Sequence, residues 1–369
     1  MTVLYISHLH PPEGNPLKNL GGMQNVSMQL VESLRQREDV DVHTIIHRAS
    51  WRWIGLKTFF FLFTLLWKIP AGVKKHKPDV ILFSSMVTAG VLPFLIKKPD
   101  VPCATINHGQ DVTLPLKVYQ WYLPKVFRHL DGVISVSEAT RRACIKRGMP
   151  PDKGVALPNG IDTDILKDMP PREASRVQIE NLFNVSLENR YLLLTVGRQV
   201  RRKGHAWFIE NVMDKLDSDI ILLIIGDGPE NPKIAEARDK SALKDRIIIA
   251  GKQPESVLNV AYSAADLFIM PNIPVEGDME GFGIVLLEAN RVGVPAVAAD
   301  LEGIKDVIEQ GVNGYRVPSG EAEQFAAKID KVMQEELQEL SKKTKEYVLN
   351  RFSWTSVVDK YVTFLKSLN

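Results

Sequence analysis

Two cysteines and an aromatic content of 8% are little for a chain of 369 residues. Cys103 and Cys144 stand far apart, without the close pairing of a metal knuckle. That excludes a disulfide-stapled scaffold, and the scarcity of thiols fits a reducing, cytoplasmic setting. An excess of charge is also missing: 46 Lys and Arg against 44 Asp and Glu leave a net +2, no footprint for wrapping nucleic acid. The hydrophobic segment from Trp51 to Ile69 is uninterrupted only from Thr58 to Trp67, between Lys57 and Lys68. On that count it is too short to span a bilayer, which takes about 20 apolar residues, and is read as a buried or interfacial helix. No basic leader precedes Val3-Leu4-Tyr5-Ile6, which reads as a first strand, so export is not expected. What is present is a globular composition, 45% apolar and 24% charged, at a length suited to two domain cores.

Short β-branched runs alternate with helix-like stretches throughout. Strands are predicted at Val3–Ile6, Val42–Ile46, Val80–Phe83, Ala104–Asn107, Val133–Val136 and near Val155–Leu157, and again at Tyr191–Val196, Ile220–Ile225, Arg246–Ile249, Leu267–Met270 and Ala296–Ala298. Such alternation predicts α/β architecture with largely parallel sheets covered on both faces. The polar stretch Lys167–Arg190 interrupts it. The expected division is therefore 1–170, a linker at 171–190, and a second domain over 191–350. Residues 351–369, rich in spaced aromatic and β-branched side chains, are expected to form a helix that packs back toward the first domain.

Several strand ends carry chemistry. Gly21-Gly22 precedes a helical pattern, where free N–H groups can meet an anion or simply form a tight turn. Asn107-His108-Gly109 ends another strand, where His108 could bind a hydroxyl or make a structural hydrogen bond; His8 and His10 lie in the loop region after the first strand. In Gly197-Arg198-Gln199-Val200-Arg201-Arg202-Lys203-Gly204, Arg198 offers a planar fork and Lys203 a point charge at a strand-to-helix junction. The choice there is between phosphate binding and a solvated basic loop. Glu280-Gly281-Phe282-Gly283-Ile284, with Glu288 further along, places two carboxylates around glycines that admit close backbone approach. These carboxylates bind hydroxyls or else charge a helix end.

Taken together, Gly21-Gly22, His108, Arg198 with Lys203, and Glu280 through Glu288 resemble the retaining GT-B glycosyltransferases of family 4. Pro158-Asn159-Gly160-Ile161-Asp162 and Gly226-Asp227-Gly228-Pro229-Glu230 extend the likeness over nearly the whole chain. The resemblance implies two Rossmann-like domains facing across a cleft, an N-terminal acceptor domain and a C-terminal nucleotide-sugar domain, with a C-terminal helix crossing back. It implies that Arg198 and Lys203 neutralise the donor diphosphate, Glu288 binds the ribose and Glu280 contacts the sugar. His108 would hold a donor-sugar hydroxyl, and Gly22 and the backbone of Gly281, Phe282, Gly283 and Ile284 would touch phosphate or sugar.

No cofactor or metal is implied. Asp162-Thr163-Asp164 spells a short carboxylate pair but is read as a turn. The expected reaction moves a hexosyl group, with retention, from a UDP- or GDP-sugar to a lipid-linked or envelope-glycan acceptor. A nucleotide-sugar epimerase or hydrolase, or a non-enzymatic binding protein, are the alternatives. The loop Pro274–Glu280 resembles versions found in lipid-directed mannosyltransferases. Residues 51–77, with tryptophans and lysines flanking phenylalanines, are expected to meet an anionic membrane surface peripherally from the cytoplasmic side.

Overall fold

The computed structural model describes residues 1–10, 22–48 and 54–369. They form two compact units, Met1–Asp162 with Phe352–Asn369, and Thr163–Arg351. Gly21, Pro11, Pro12, Gly14, Trp51 and Trp53 lie outside the described residues.

In the first unit the order is β1 (Thr2–His10), α1 (Gly22–Arg35), β2 (Asp41–Arg48), α2 (Ile54–His76), β3 (Val80–Phe83), α3 (Met86–Ala89), β4 (Cys103–Asn107), α4 (Gln110–Thr113), α5 (Lys117–His129), β5 (Gly132–Ser135), α6 (Glu138–Ile145) and β6 (Gly154–Ala156). The strands form one parallel sheet ordered β2-β1-β3-β4-β5-β6. The strands β3, β4 and β5 are buried along their whole length, as a sheet covered on both faces requires. Crossovers between parallel strands are right-handed. The step from β1 to β2 runs one way along the sheet and every later step the other, so α1 covers one face while α2 and α5 cover the opposite face. One core confirms the second placement: Phe61, Leu65 and Ile69 of α2 and Leu123, Val126 and Phe127 of α5 pack with Leu4, Ile6, Ile81, Phe83 and Val133.

The helix α2 corrects one expectation. It runs 23 residues, taking in Lys57 and Lys68 that bracket the uninterrupted run, and by length and composition it could cross a bilayer. Its Phe61–Leu65–Ile69 stripe is nevertheless committed to the sheet. Leu56, Phe59, Phe60, Phe63 and Trp67, spaced as a second helical stripe, are each more than half exposed.

The second unit contains α7 (Arg172–Phe183), β7 (Tyr191–Val196), α8 (His205–Asn211), β8 (Ile220–Ile225), α9 (Asn231–Lys240), β9 (Ile247–Gly251), α10 (Glu255–Ala264), β10 (Leu267–Met270), α11 (Ile284–Arg291), β11 (Ala296–Ala299), α12 (Ile304–Val307), β12 (Gly314–Val317), α13 (Ala322–Lys331) and α14 (Leu337–Phe352). Its parallel sheet is ordered β12-β11-β10-β7-β8-β9. The helix α7 occupies the polar stretch after Lys167. Its arginines are anchored rather than solvated: Arg172 and Arg176 both pair with the buried Asp266, Arg176 at 3.1 Å. Sequence patterning missed β12. That strand opens on Gly314, where a Cβ would stand 2.2 Å from the Ala296 carbonyl oxygen on the neighbouring strand.

The final helix, α15 (Trp354–Lys366), belongs to the first unit and packs on α1. Ser353 caps its start by accepting from the Ser356 N–H. Trp354 Nε1 donates to Gln29 Oε1 at 2.7 Å, and Lys366 pairs with Asp39 at 2.8 Å. Gly160 of the Pro158–Asp162 turn lies under this helix, and a Cβ there would sit 2.3 Å from the Trp354 ring. That glycine therefore serves packing of the C-terminal helix.

Candidate active site

At the carboxyl end of β7 the chain turns through Gly197 (φ 150°) into the cationic loop. The following loop, after β8, is laid against it backbone to backbone. Gly226 (φ 147°) has its missing Cβ only 1.9 Å from the Gly197 carbonyl oxygen, and Gly228 has its own 2.3 Å from that of Gln199. The Gln199 N–H donates to the Asp227 carbonyl at 3.0 Å, and the Glu230 N–H to the Gln199 carbonyl at 3.1 Å. Any larger residue at Gly226 or Gly228 would push the cationic loop out of place. These glycines of the Gly226–Glu230 motif thus act by admitting close backbone approach.

The cations on this loop have unequal fates. Arg198 is exposed, and its guanidinium has no side-chain partner among the described residues. Lys203 is buried, and its Nζ lies 2.7 Å from Glu280 Oε2. Arg202, which sequence reasoning did not single out, stands 3.5 Å from the same oxygen and pairs with Asp278 at 2.9 Å. Asn272 Nδ2 donates to Glu280 as well, at 3.1 Å. Burial alone would lift the Glu280 carboxyl, but Lys203 and then Arg202, with hydrogen bonds from Lys203 and Asn272, hold it below the ordinary glutamate value. Glu280 is thus an ionised, fixed acceptor.

From Glu280 the chain continues through Gly281, Phe282 and Gly283, all buried, into α11. Gly283 adopts φ 86°, a conformation that admits glycine readily and turns the backbone into the helix that starts at Ile284. Gly303 lies so close behind that a Cβ on it would stand 2.1 Å from the Gly281 carbonyl oxygen. Glu302, at φ 47° in the left-handed region, accepts the Glu280 N–H through its carboxylate. Burial, with Glu280 adding to it, raises the Glu302 carboxyl above the usual range. Glu288 sits half-buried on α11 and accepts from the Tyr262 hydroxyl at 2.7 Å. Burial, then the Glu288 charge, pushes that phenol well above its ordinary value, so it remains a donor. Arg202, Asn272, Tyr262, Asp278 and Glu302 are the supporting residues that no motif announced.

The first unit gathers its own polar groups at the carboxyl ends of β1 to β4. His108 is half-buried, and its Nε2 meets the Ser84 carbonyl oxygen at 3.0 Å. A carbonyl can only accept, so Nε2 carries the hydrogen and the Nδ1 of a neutral ring is the acceptor. The His108 backbone N–H donates to Asp111 Oδ1 at 2.8 Å. Among the described residues, buried His8 Nδ1 and Asn107 Oδ1 have no hydrogen-bond partner, and neither does His47 Nε2. Unsatisfied buried polar atoms on adjacent strand ends are where a polar ligand is accommodated at least cost. Burial, followed by the nearby His47 and His108, lowers His8 to about 4, so its ring is neutral at pH 7. Gly22 is the first residue of α1.

Asp162 and Asp164 fall in different units, and Asp164 pairs with Lys167 at 2.9 Å. Among the described residues no group of three or more His, Cys, Asp or Glu is placed to hold a metal ion.

Residues 20–165 match the family described as Glycosyltransferase Family 4, and residues 178–351 match Glycosyl transferases group 1. A putative colanic acid biosynthesis glycosyltransferase, WcaL of Escherichia coli, is 24% identical over 356 residues, 92% of this chain and 83% of that protein. WcaL of Salmonella typhimurium is 24% identical over 72% of this chain, and the amylovoran biosynthesis glycosyltransferase AmsK of Erwinia amylovora 26% over 63%. Those two matches span only 64% and 55% of the relatives' own lengths. A phosphatidyl-myo-inositol mannosyltransferase of Mycobacterium leprae is 27% identical over 70% of this chain and 64% of its own. Among solved structures, HepE of Anabaena in complex with UDP superposes with a TM-score of 0.74 at 16% identity over the whole of both chains. Sucrose-phosphate synthase of Thermosynechococcus elongatus gives 0.76 at 20% identity, over 100% of this chain and 99% of that one.

Proposed function

The chain belongs to the GT-B glycosyltransferases whose two halves carry these family signatures, and on that premise we propose that it transfers a hexosyl group, with retention and without a metal, from a nucleoside-diphosphate sugar to an acceptor hydroxyl. The observation that carries the reading is the buried Lys203–Glu280 pair beside the uncommitted Arg198. A leaving diphosphate needs fixed positive charge, and an anionic sugar-binding acceptor needs its own charge compensated; one loop supplies both. Arg198 and Lys203 are assigned to the diphosphate, Glu288 to the ribose and Glu280 to a sugar hydroxyl. His108 is assigned to a second sugar hydroxyl through its accepting Nδ1.

Retention is proposed through attack on the same face that the diphosphate leaves. Glu280 is a poor nucleophile because its charge is already compensated by Lys203 and Arg202, which with Asn272 all meet its Oε2. A phosphate oxygen of the leaving group is the alternative base for the acceptor proton. Gly22 and the Gly281–Ile284 backbone are assigned to phosphate or sugar contact.

The donor is a UDP- or GDP-sugar, and the acceptor a lipid-linked precursor of an envelope glycan, met by a protein lying peripherally on the cytoplasmic face of the membrane. The envelope-polysaccharide relatives and the mycobacterial phosphatidylinositol mannosyltransferase support this assignment. So does the exposed aromatic stripe of α2 with its lysines.

The test is incubation with a panel of radiolabelled UDP- and GDP-sugars and a membrane extract. A labelled acceptor glycoside with α-anomeric retention, seen by NMR, is the expected product. Changed sugar still on the nucleotide, or free sugar alone, would assign an epimerase or a hydrolase instead.

A further inference from the structure

We infer that the first unit meets an anionic bilayer on two separate footholds, α2 and a second apolar patch formed by Leu92–Lys98 and the start of α5. This rests on the peripheral reading above and adds which face of the sheet is turned to the lipid.

Large apolar side chains exposed singly are ordinary on a soluble surface. Here fourteen such side chains are exposed among the described residues, and eleven fall in two clusters of the first unit. Five are the α2 stripe. The other six are Phe94, Ile96, Leu114, Leu116, Val118 and Trp121, with Val118 79% and Trp121 66% exposed. Phe94 stacks on Tyr122 with ring centroids 5.6 Å apart, which ties the Leu92–Lys98 segment to α5. Both α2 and α5 lie on the same face of the sheet and bury their inner stripes in one core. Their outer stripes therefore point away from that face together.

Charge selects the occupant. Residues 54–78, 92–98 and 114–129 hold ten Lys and Arg and no Asp or Glu, leaving 36 against 44 for the rest of a chain whose net charge is only +2. Lys97 and Lys98 are paired with Asp100 and Asp131 at the border of the patch, whereas Lys125 lies over the Trp121 ring, 3.6 Å from its centroid. Aromatic rings beside unpaired lysines suit the headgroup boundary: the ring enters, and the ammonium stays with lipid phosphate. Each lysine brought to an anionic surface strengthens partitioning roughly fivefold. A second copy of this chain docked on the same face would set cations against cations, which disfavours a homodimer there.

The experiment is co-sedimentation with phosphatidylcholine vesicles, with and without phosphatidylglycerol, alongside quenching of tryptophan emission by brominated lipid. Val118→Ser with Trp121→Ser removes the second foothold and Phe59→Ser with Phe63→Ser the first, all at exposed positions whose retained folding is checked by circular dichroism. Each pair of changes is expected to weaken binding to the anionic vesicles at least tenfold. Trp121→Phe should also remove a brominated-lipid-quenched share of the emission. Vesicle binding by the Val118→Ser, Trp121→Ser protein equal to wild type, with no quenched emission from Trp121, would overturn the second foothold while leaving α2 as the only contact. A wild-type dimer broken by those same changes would assign the patch to a second copy and likewise overturn it. No vesicle binding by the wild type would instead overturn the peripheral reading itself.

Discussion

The Lys203 ammonium lies 2.7 Å from the Glu280 carboxylate, joining the loop after β7 to the loop before α11 with both side chains nearly enclosed. Breaking a buried pair from one side leaves an uncompensated charge, at a cost of about 3–5 kcal/mol. Lys203→Met is therefore expected to lower the denaturant midpoint strongly, because the cation left beside Glu280 is Arg202, at 3.5 Å, with only the neutral Asn272 closer. The doubly changed Lys203→Met, Glu280→Gln protein should regain much of that stability and none of the turnover. Equilibrium unfolding and nucleotide release, measured on the same proteins, separate the two roles. Equal stability of the single and double variants would mean that the pair is not coupled.

Gly303→Ala tests the packing behind the Gly281–Gly283 turn. Its backbone φ of −69° suits alanine, so strain arises only from the Cβ, 2.1 Å from the Gly281 carbonyl oxygen. The turn must shift, with an expected loss of about 1–3 kcal/mol, as for other overpacked sites, and weaker donor binding by calorimetric titration. Gly55→Ala, with nothing within 4 Å of the added Cβ, is the matching control and should leave both unchanged or slightly improve stability.

Both sheets were legible from the sequence because buried parallel strands are short apolar runs, and Ile220–Ile225 or Val80–Phe83 can hardly be read otherwise. Gly314–Val317 was not, since a glycine opening and a Tyr-Arg centre lack that signal. The helix α7 was hidden for a different reason: Arg172 and Arg176 look like linker charge until Asp266, some ninety residues on, is seen to receive them. Shorter separations, 26 and 22 residues, were still enough to conceal Tyr262 behind Glu288 and Glu302 behind Glu280. Motif residues announce themselves by local spacing, whereas the groups that hold them in place come from other loops.

Phe61 and its neighbours on α2 divide between core and surface, which periodicity alone did not resolve because the helix is apolar on both stripes. Phe61 is 4% exposed and Phe59 66%. Phe61→Ala is expected to cost about 3–5 kcal/mol through lost burial and a cavity. Phe59→Ser and Phe63→Ser should each fall within about 0.5 kcal/mol of wild type, as surface changes do. Thermal or denaturant unfolding in the absence of lipid checks the contrast.

Both thiols are buried, and burial, reinforced by Asp131 beside Cys103 and Asp111 beside Cys144, pushes each up to about 12. The thiolate is the reactive form, so neither should react with a disulfide reagent at pH 8 in the native protein. Addition of denaturant should release two equivalents per chain, matching the two cysteines. Rapid labelling of the native protein would contradict the burial of these side chains.

Acid should destabilise the fold well before its carboxylates titrate. Burial lowers His205 to about 3, with Lys203 adding to the effect, and burial lowers His8 and His10 to about 4. In the unfolded chain a histidine titrates near 6.5. As pH falls through that value the unfolded state takes up protons that the folded state refuses, so stability is fully present above it and declines below. Each such histidine contributes a slope of up to about 1.4 kcal/mol per pH unit, continuing until its folded value is reached. Asp111 and Glu302, whose carboxyls burial raises, act in the opposite sense, favouring the folded state as they protonate. Urea unfolding between pH 7.5 and 5 should therefore show stability falling with acid. His205→Asn, which keeps a polar group beside Thr195 but cannot titrate, should flatten that decline by about one histidine's worth. An unchanged slope in a variant that folds would mean that His205 is as easily protonated in the folded chain as in the unfolded one.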